Sequence, residues 1–415
     1  MKFSLIIPTH NRHQLVSLAL KYALQQDHPN YEIIVSDNST NDRYRNLNLQ
    51  ALKCYAHFPN LRIVYPPRVL SAPEHFEFAL QQADGDYVSF LTDKMIIFPH
   101  LLKEVESLIQ RVGNDLDIIN WMYHIFSFDN HNEPFGSGTL HMFEKFSDKA
   151  EIEIDPVLEL SNKASGIISR IDQSVQSYVT GKVCFGFYSR NLIKRVNDNS
   201  GSLFGGVTHD YSAMVQALLL ARRVFLLTQP KMLFLSHDKV SIGKSTHLDS
   251  ISAIKYYDTF LDSDKLLNTL FIPNLYSSQH NMVASDYVKY LKMYNKFDLF
   301  LSDNWIFHIW SDLFADGKTW ASDLERSTQL DIFMNFVYET KGLDYEIKHH
   351  MVNASHPKYR KILNLLKRFI RLFLLNLTHI FPDLLKVKSW FRPKNNSSLS
   401  FSSLDDALVS IHPKS

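Results

Sequence analysis

No glycine occurs before Gly85, although the preceding residues already alternate between short apolar runs and amphipathic segments. A dinucleotide-binding turn needs glycines directly after the first strand, so that backbone can approach a pyrophosphate. A P-loop needs them to wrap phosphates in backbone N–H groups. Both are excluded. The first apolar run is followed by Pro8-Thr9-His10-Asn11-Arg12 and the second by Asp37-Asn38-Ser39-Thr40. A nucleotide bound here would have to be held by side chains at the carboxyl ends of strands.

The apolar runs Leu5–Ile7, Ile33–Val35, Ile63–Tyr65 and Tyr87–Leu91 are predicted strands. Between the first two, Leu15, Leu18, Ala19, Tyr22 and Ala23 repeat at helical spacing, with Asn11 expected as N-cap. Pro73 opens a second predicted helix, and Asp84-Gly85 turns the chain into the fourth strand. Such alternation predicts a parallel sheet covered by helices on both faces. Further on, the residues predict a helix over 101–111, a strand over 118–121, an irregular stretch over 131–166 and a strand from Lys182 to Phe187. A helix beginning near Thr208 and a last strand over 224–236 complete this part.

A length of 415 residues suggests two units, and a formal charge of +1 gives no reason to expect nucleic acid. Cys54 and Cys184 lack metal or disulfide spacing. The first strand leaves no room for a signal peptide, and no apolar run is long enough to span a bilayer, so a cytoplasmic location is expected.

The segments SLIIPTHNR (4–12), EIIVSDNSTND (32–42) and GDYVSFLTDKM (85–95) resemble the ordered signatures of family 2 GT-A glycosyltransferases. THDYSAMVQAL (208–218) and SHDKVSIG (236–243) are similar to that family's catalytic helix and terminal histidine loop. The resemblance implies an α/β fold of the GT-A, nucleotide-diphospho-sugar transferase type: a mostly parallel sheet sandwiched by helices over 1–248. Beyond about residue 250 the pattern turns helical and rich in aromatics, which predicts a helical C-terminal appendage over 249–392. The resemblance also implies a hexosyltransferase-like enzyme, inverting, that moves a sugar from a nucleotide diphosphate, UDP in particular, to a glycan or lipid-linked acceptor in envelope polysaccharide synthesis. The competing reading is a catalytically silent GT-A-like module that binds a nucleotide sugar or glycan.

Within this resemblance, Asp37 would accept the N3–H of uracil or a ribose hydroxyl, or else close an Asx-turn. Pro8, Thr9, Arg12 and Ser39 would complete the nucleotide pocket, Arg12 also being suited to a phosphate. Asp93 and Lys94 would flank the diphosphate. A divalent metal, Mn²⁺ or Mg²⁺, would sit on Asp93 and His237, but Lys94 occupies a position where a metal-binding carboxylate is common. Its ammonium either points away or takes over the metal's charge. Asp210, in the first turn of a helix, is the candidate general base, and ordinary N-terminal capping is the alternative.

From Lys358 to Lys394 ten Lys or Arg face the single acid Asp383. Over 358–381 they form one stripe of an amphipathic helix, suited either to an anionic membrane leaflet on its inner face or to internal packing. The Ser- and Asn-rich stretch 393–415 is expected to be disordered.

Overall fold

The computed structural model describes residues 1–129, 136–143, 147–165, 178–236, 250–296, 313, 316, 327–339 and 396–411. The fold grows from β1 (Phe3–Thr9), whose seven residues are all buried. A strand covered on both faces has to be apolar throughout, and this explains the uninterrupted run that starts the chain. α1 (His13–Ala23) buries Leu15, Leu18, Ala19 and Ala23, as its spacing predicts, together with Val16 and Leu20. Its N-cap is Arg12 rather than Asn11, because Asn11 takes a left-handed φ of 59° and directs its side chain to Thr40. β2 (Tyr31–Asp37), α2 (Asp42–Leu52), β3 (Leu61–Val64), α3 (Ala72–Gln81) and β4 (Tyr87–Phe90) follow.

The four strands pair in parallel in the order β3-β2-β1-β4. Gly85 is required where β4 joins them: its N–H donates to Ser4 Oγ at 2.8 Å, and a Cβ would lie 2.5 Å from that same oxygen. Beyond β4 the sheet becomes mixed. β5 (Met95–Ile97), α4 (Leu101–Val112) and the long β6 (Leu116–Phe128) are followed by β7 (Gly138–Phe143), β8 (Glu151–Ile154) and α5 (Pro156–Ser165). The stretch expected to be irregular over 131–166 thus contains two strands and a helix among its described residues. A 3₁₀ turn (Val183–Phe185) leads into β9 (Gly186–Ser189), α6 (Arg190–Ser200), α7 (His209–Leu220) and β10 (Arg223–Ser236). β9 bridges β4 to β6 with antiparallel pairing on both sides, while β10 runs parallel to β6 and antiparallel to β5 and β8.

α8 (Ser250–Tyr257), α9 (Ser263–Asn268), α10 (Gln279–Met293) and α11 (Ser327–Glu339) occupy the expected appendage. The structure draws no line at 249. Val283, Ala284, Tyr287 and Tyr290 of α10 are buried in the same core cluster as Met214 and Leu218 of α7. A carboxylate completes the contact. Asp286, fully buried, accepts the amides of Val207 and Thr208, both at 2.7 Å, and the Thr208 hydroxyl. Thr208 is the N-cap of α7, so Asp286 fixes from another helix the backbone that leads into α7. Gly206 permits the approach, since a Cβ there would lie 2.4 Å from Asp286 Oδ1.

The C-terminal stretch is also folded over 396–411, contrary to its composition. β11 (Asn396–Phe401) pairs antiparallel with β7, and α12 (Leu404–Ile411) buries Leu404, Ala407 and Leu408 in the cluster that holds Leu15 and Leu18 of α1. The basic segment 358–381 lies outside the described residues. Among those described, no helix is long and apolar enough to cross a membrane.

Burial pushes the Asp286 carboxyl up to about 6 against the pull of its three donors. The native state therefore binds this proton more tightly than the unfolded chain. The group's contribution is full below about pH 4 and falls, by on the order of 3 kcal/mol, as pH rises through 6. Urea unfolding across that window should show the decline, and Asp286→Asn should flatten it. Asp286→Ala should lower stability by roughly 1–3 kcal/mol for each amide left unpaired.

Candidate functional site

The carboxyl ends of β1 and β2 lie side by side, with Pro8 opposite Ser36 and Thr9 opposite Asp37 in parallel register. Their loops are tied together. The Asn38 amide donates to the Thr9 carbonyl at 3.0 Å, His10 Nδ1 lies 2.8 Å from the Asn38 carbonyl, and Asn11 and Thr40 exchange hydrogen bonds. Asp37 stands at this seam with no exposed surface. Its Oδ1 accepts from the Ser39 amide at 2.9 Å and the Ser39 hydroxyl at 2.5 Å. Its Oδ2 has no hydrogen-bond partner among the described residues. One oxygen thus closes the Asx-turn, and the other is a buried acceptor awaiting a donor. Ser39 Oγ also receives the Asn48 amide group at 3.0 Å and the Asn11 N–H at 3.2 Å.

Asp93, just past β4, is 1% exposed. Arg12 Nη1 donates to its Oδ1 at 3.0 Å and Thr9 Oγ1 to its Oδ2 at 3.0 Å. Thr9, Arg12, Asp37 and Asp93 are therefore gathered around one strand-end crevice, where ligands of open α/β sheets bind. Lys94 turns away from that pair: it is 8% exposed, and its Nζ sits 5.9 Å from the Phe234 ring on β10.

Both Asp93 oxygens already have protein donors, and among the described residues no three His, Cys, Asp or Glu side chains converge on a point. His237, the other expected ligand, lies outside the described residues.

Three histidines connect this crevice to α7. His10 feels the charges of Arg12, Asp37 and Asp93; His75 of α3 lies within electrostatic reach of His10 and His209. His75 Nε2 is 2.9 Å from Ser36 Oγ, and the His209 ring packs on Phe76 at 4.1 Å. Burial lowers all three pKa values, that of His75 to about 3, so the crevice is lined by neutral imidazoles at neutral pH. Asp210 follows in the first turn of α7, with 29% of its side chain exposed and Oδ2 3.6 Å from Lys182 Nζ. No side-chain cap hydrogen bond to the first turn of α7 is made by its N-cap residue Thr208, whose hydroxyl donates to Asp286 instead.

Sequence reasoning missed Lys182, Tyr178, His10 and His75 as site residues. His10 was visible inside the first motif. The others carry no local signal, because only the tertiary fold brings them near Asp210 or Ser36.

Residues 4–153, which include the first three motifs, match the model of Glycosyl transferase family 2. Among curated proteins, the Staphylococcus aureus poly(ribitol-phosphate) beta-N-acetylglucosaminyltransferase TarS is 29% identical over 122 residues, 29% of this chain and 21% of its own. A Methanococcus voltae dolichyl N-acetyl-alpha-D-glucosaminyl phosphate 3-beta-D-2,3-diacetamido-2,3-dideoxy-beta-D-glucuronosyltransferase is 23% identical over 193 residues, 46% of this chain and 54% of its own. The matches thus span about a fifth to about half of these relatives. Among solved structures, S. aureus TarS 1-349 in complex with UDP-GlcNAc is 18% identical with a TM-score of 0.43, over 80% of this chain and 89% of that one.

His75 should not gain a proton between pH 8 and 5, which its ring resonances would report directly. The unfolded chain takes that proton near pH 6.5, so stability should fall as pH drops below it. His75→Gln should flatten this acid limb in urea unfolding.

Proposed function

We propose that this protein transfers a sugar from a UDP-sugar to a hydroxyl of a glycan or lipid-linked acceptor, with inversion, in the synthesis of an envelope polysaccharide. The observation that carries the reading is the buried, unpartnered Oδ2 of Asp37 at the end of β2. A carboxylate oxygen needs a donor, and uracil presents N3–H at its pairing edge whereas cytosine presents an unprotonated N3. Arg12, at the mouth of the crevice, would exchange its Asp93 partner for the donor's diphosphate, with the planar fork suited to phosphate oxygens. That exchange would supply the charge for the leaving UDP from the protein itself. Asp93, released, faces the sugar side of the pocket.

Asp210 is the group that would take the acceptor's proton. Its carboxylate is partly open to solvent. It also sits at the positive end of α7, across the histidine-lined crevice from Asp37. A single displacement with the base on the acceptor side inverts the anomeric centre. The names of the relatives, one acting on a poly(ribitol-phosphate) and one on a dolichyl phosphate-linked sugar, support a polymeric or lipid-linked acceptor. The segment over 358–394 would give peripheral contact with an anionic cytoplasmic leaflet.

Calorimetry tests the donor pocket. UDP should bind and CDP should bind markedly less well, and Asp37→Ala should weaken UDP by about 1.5–3 kcal/mol, the range for a hydrogen bond to a charged group. Equal affinity for both nucleotides, or full UDP affinity in a folded Asp37→Ala protein, would refute the assignment. For the chemistry, Asp210→Asn should lower transfer by roughly two to four orders of magnitude with donor binding intact. Transfer should also persist in EDTA; activity lost on chelation and restored by Mn²⁺ would show that a metal, not Arg12, carries the diphosphate.

A further inference from the structure

We infer that Lys182 is the positioning residue of the candidate base: its ammonium, clamped between two tyrosine rings, holds the Asp210 carboxylate from one side and leaves the other side open to an incoming hydroxyl. The inference rests on the reading of Asp210 as the base.

Lys182 is 2% exposed, and its Nζ lies 3.9 Å from the centroid of Tyr178 and 4.1 Å from that of Tyr211. Ring faces attract a cation but accept no strong hydrogen bond from it. Nζ makes no hydrogen bond of good geometry among the described residues, the Tyr211 hydroxyl being the polar group that also acts on it. The anion at ion-pair distance is Asp210, at 3.6 Å. A buried ammonium with so few partners is costly to retain and is seldom a device for stability alone. The nearest other charged pair, Lys163 with Glu159 on α5, pairs at 3.4 Å, and His209 beside Asp210 is held neutral by burial. Lys182 is the cation at ion-pair distance from the carboxylate among the described residues.

The lysine is itself immobilised. Its carbonyl accepts from Asn120 Nδ2 at 3.0 Å and from the Phe185 amide at 3.1 Å, and its amide donates to the Val179 carbonyl at 3.0 Å. Asn120 belongs to β6, so the clamp is referenced to the central sheet while Asp210 is referenced to α7. The surroundings keep the ammonium protonated: burial acts to remove the proton, but Tyr178, Tyr211 and Asp210 together outweigh it. Lys182 therefore acts as a fixed cation and does not exchange protons with substrate. A carboxylate pinned on one oxygen, with the remainder partly exposed, has a single orientation to offer an acceptor, and such fixing is where much of a general base's effectiveness arises.

Lys182→Met, which keeps the aliphatic length between the rings, and Lys182→Gln should be combined with Asp210→Asn in a double-mutant cycle. In urea unfolding the two sites should be non-additive, with Lys182→Met costing measurably less in the Asp210→Asn background. With UDP-GlcNAc as probe, and release of UDP to water or acceptor as the readout, Lys182→Met should lower kcat by roughly 10- to 100-fold while KM for the nucleotide sugar stays within about twofold. In the Asp210→Asn background it should lower kcat no further. Additive unfolding energies, wild-type kcat in both lysine variants, or an equal loss of kcat with and without Asp210 would each overturn the inference. Wild-type turnover in Asp210→Asn would instead overturn the base assignment itself, and the unfolding cycle would still report whether the two charges are coupled.

Discussion

The arrangement depends on one buried carboxylate. Asp286, on a helix nearly eighty residues beyond the helix it serves, receives the Val207 and Thr208 amides and the Thr208 hydroxyl. The first turn of any helix exposes backbone N–H groups that must find acceptors, and inside a protein an unmet N–H is expensive. Asp286 meets the need of the two residues that lead into α7, and so fixes where the helix begins and where Asp210, in its first turn, stands 3.6 Å from Lys182. Gly206 belongs to the same device, since any side chain there would displace the carboxylate.

The donor side follows a parallel logic. Each polar group that defines the crevice is oriented by a neighbour. Ser39 and Asn48 hold Asp37 so that a single oxygen remains for a ligand, while Thr9 and Arg12 hold Asp93. The register of β1 against β2 places Thr9 beside Asp37, and the histidines lining the crevice are uncharged. A nucleotide diphosphate would then meet few positive charges besides Arg12, which is why that ion pair with Asp93 carries such weight in the proposed chemistry.

Much of this was legible from the chain alone. The βαβ alternation, the covered first strand, the helix at 101–112 and the last strand all follow from local periodicity, and the motif residues Thr9, Arg12, Asp37 and Asp93 do come together. Asp37 shows why the two readings of such a residue need not compete: one oxygen closes the turn, and the other has no hydrogen-bond partner among the described residues. What local pattern could not convey is nonlocal. The stretch 396–401 is polar and reads as disorder, yet it adds to the edge of β7 because α12 brings Leu404 and Leu408 onto α1. The boundary near 249 marks a change of composition but not of core, since the apolar face of α10 is matched to α7. Lys182 was invisible for the same reason. Lys94, prominent in the motif, turns instead toward Phe234, as its place beside β10 requires.

If α10 is an integral part of the glycosyltransferase unit, the position at which the chain is cut should decide whether that unit folds. Cooperative unfolding of two truncated chains, residues 1–248 and residues 1–296, monitored by circular dichroism and by tyrosine and tryptophan fluorescence, measures this directly. The longer chain should unfold in one coincident transition and bind UDP, and the shorter should show no cooperative transition, its α7 amides and apolar face being exposed. A residues 1–248 chain that unfolds cooperatively at the same urea concentration as the longer one would contradict the account.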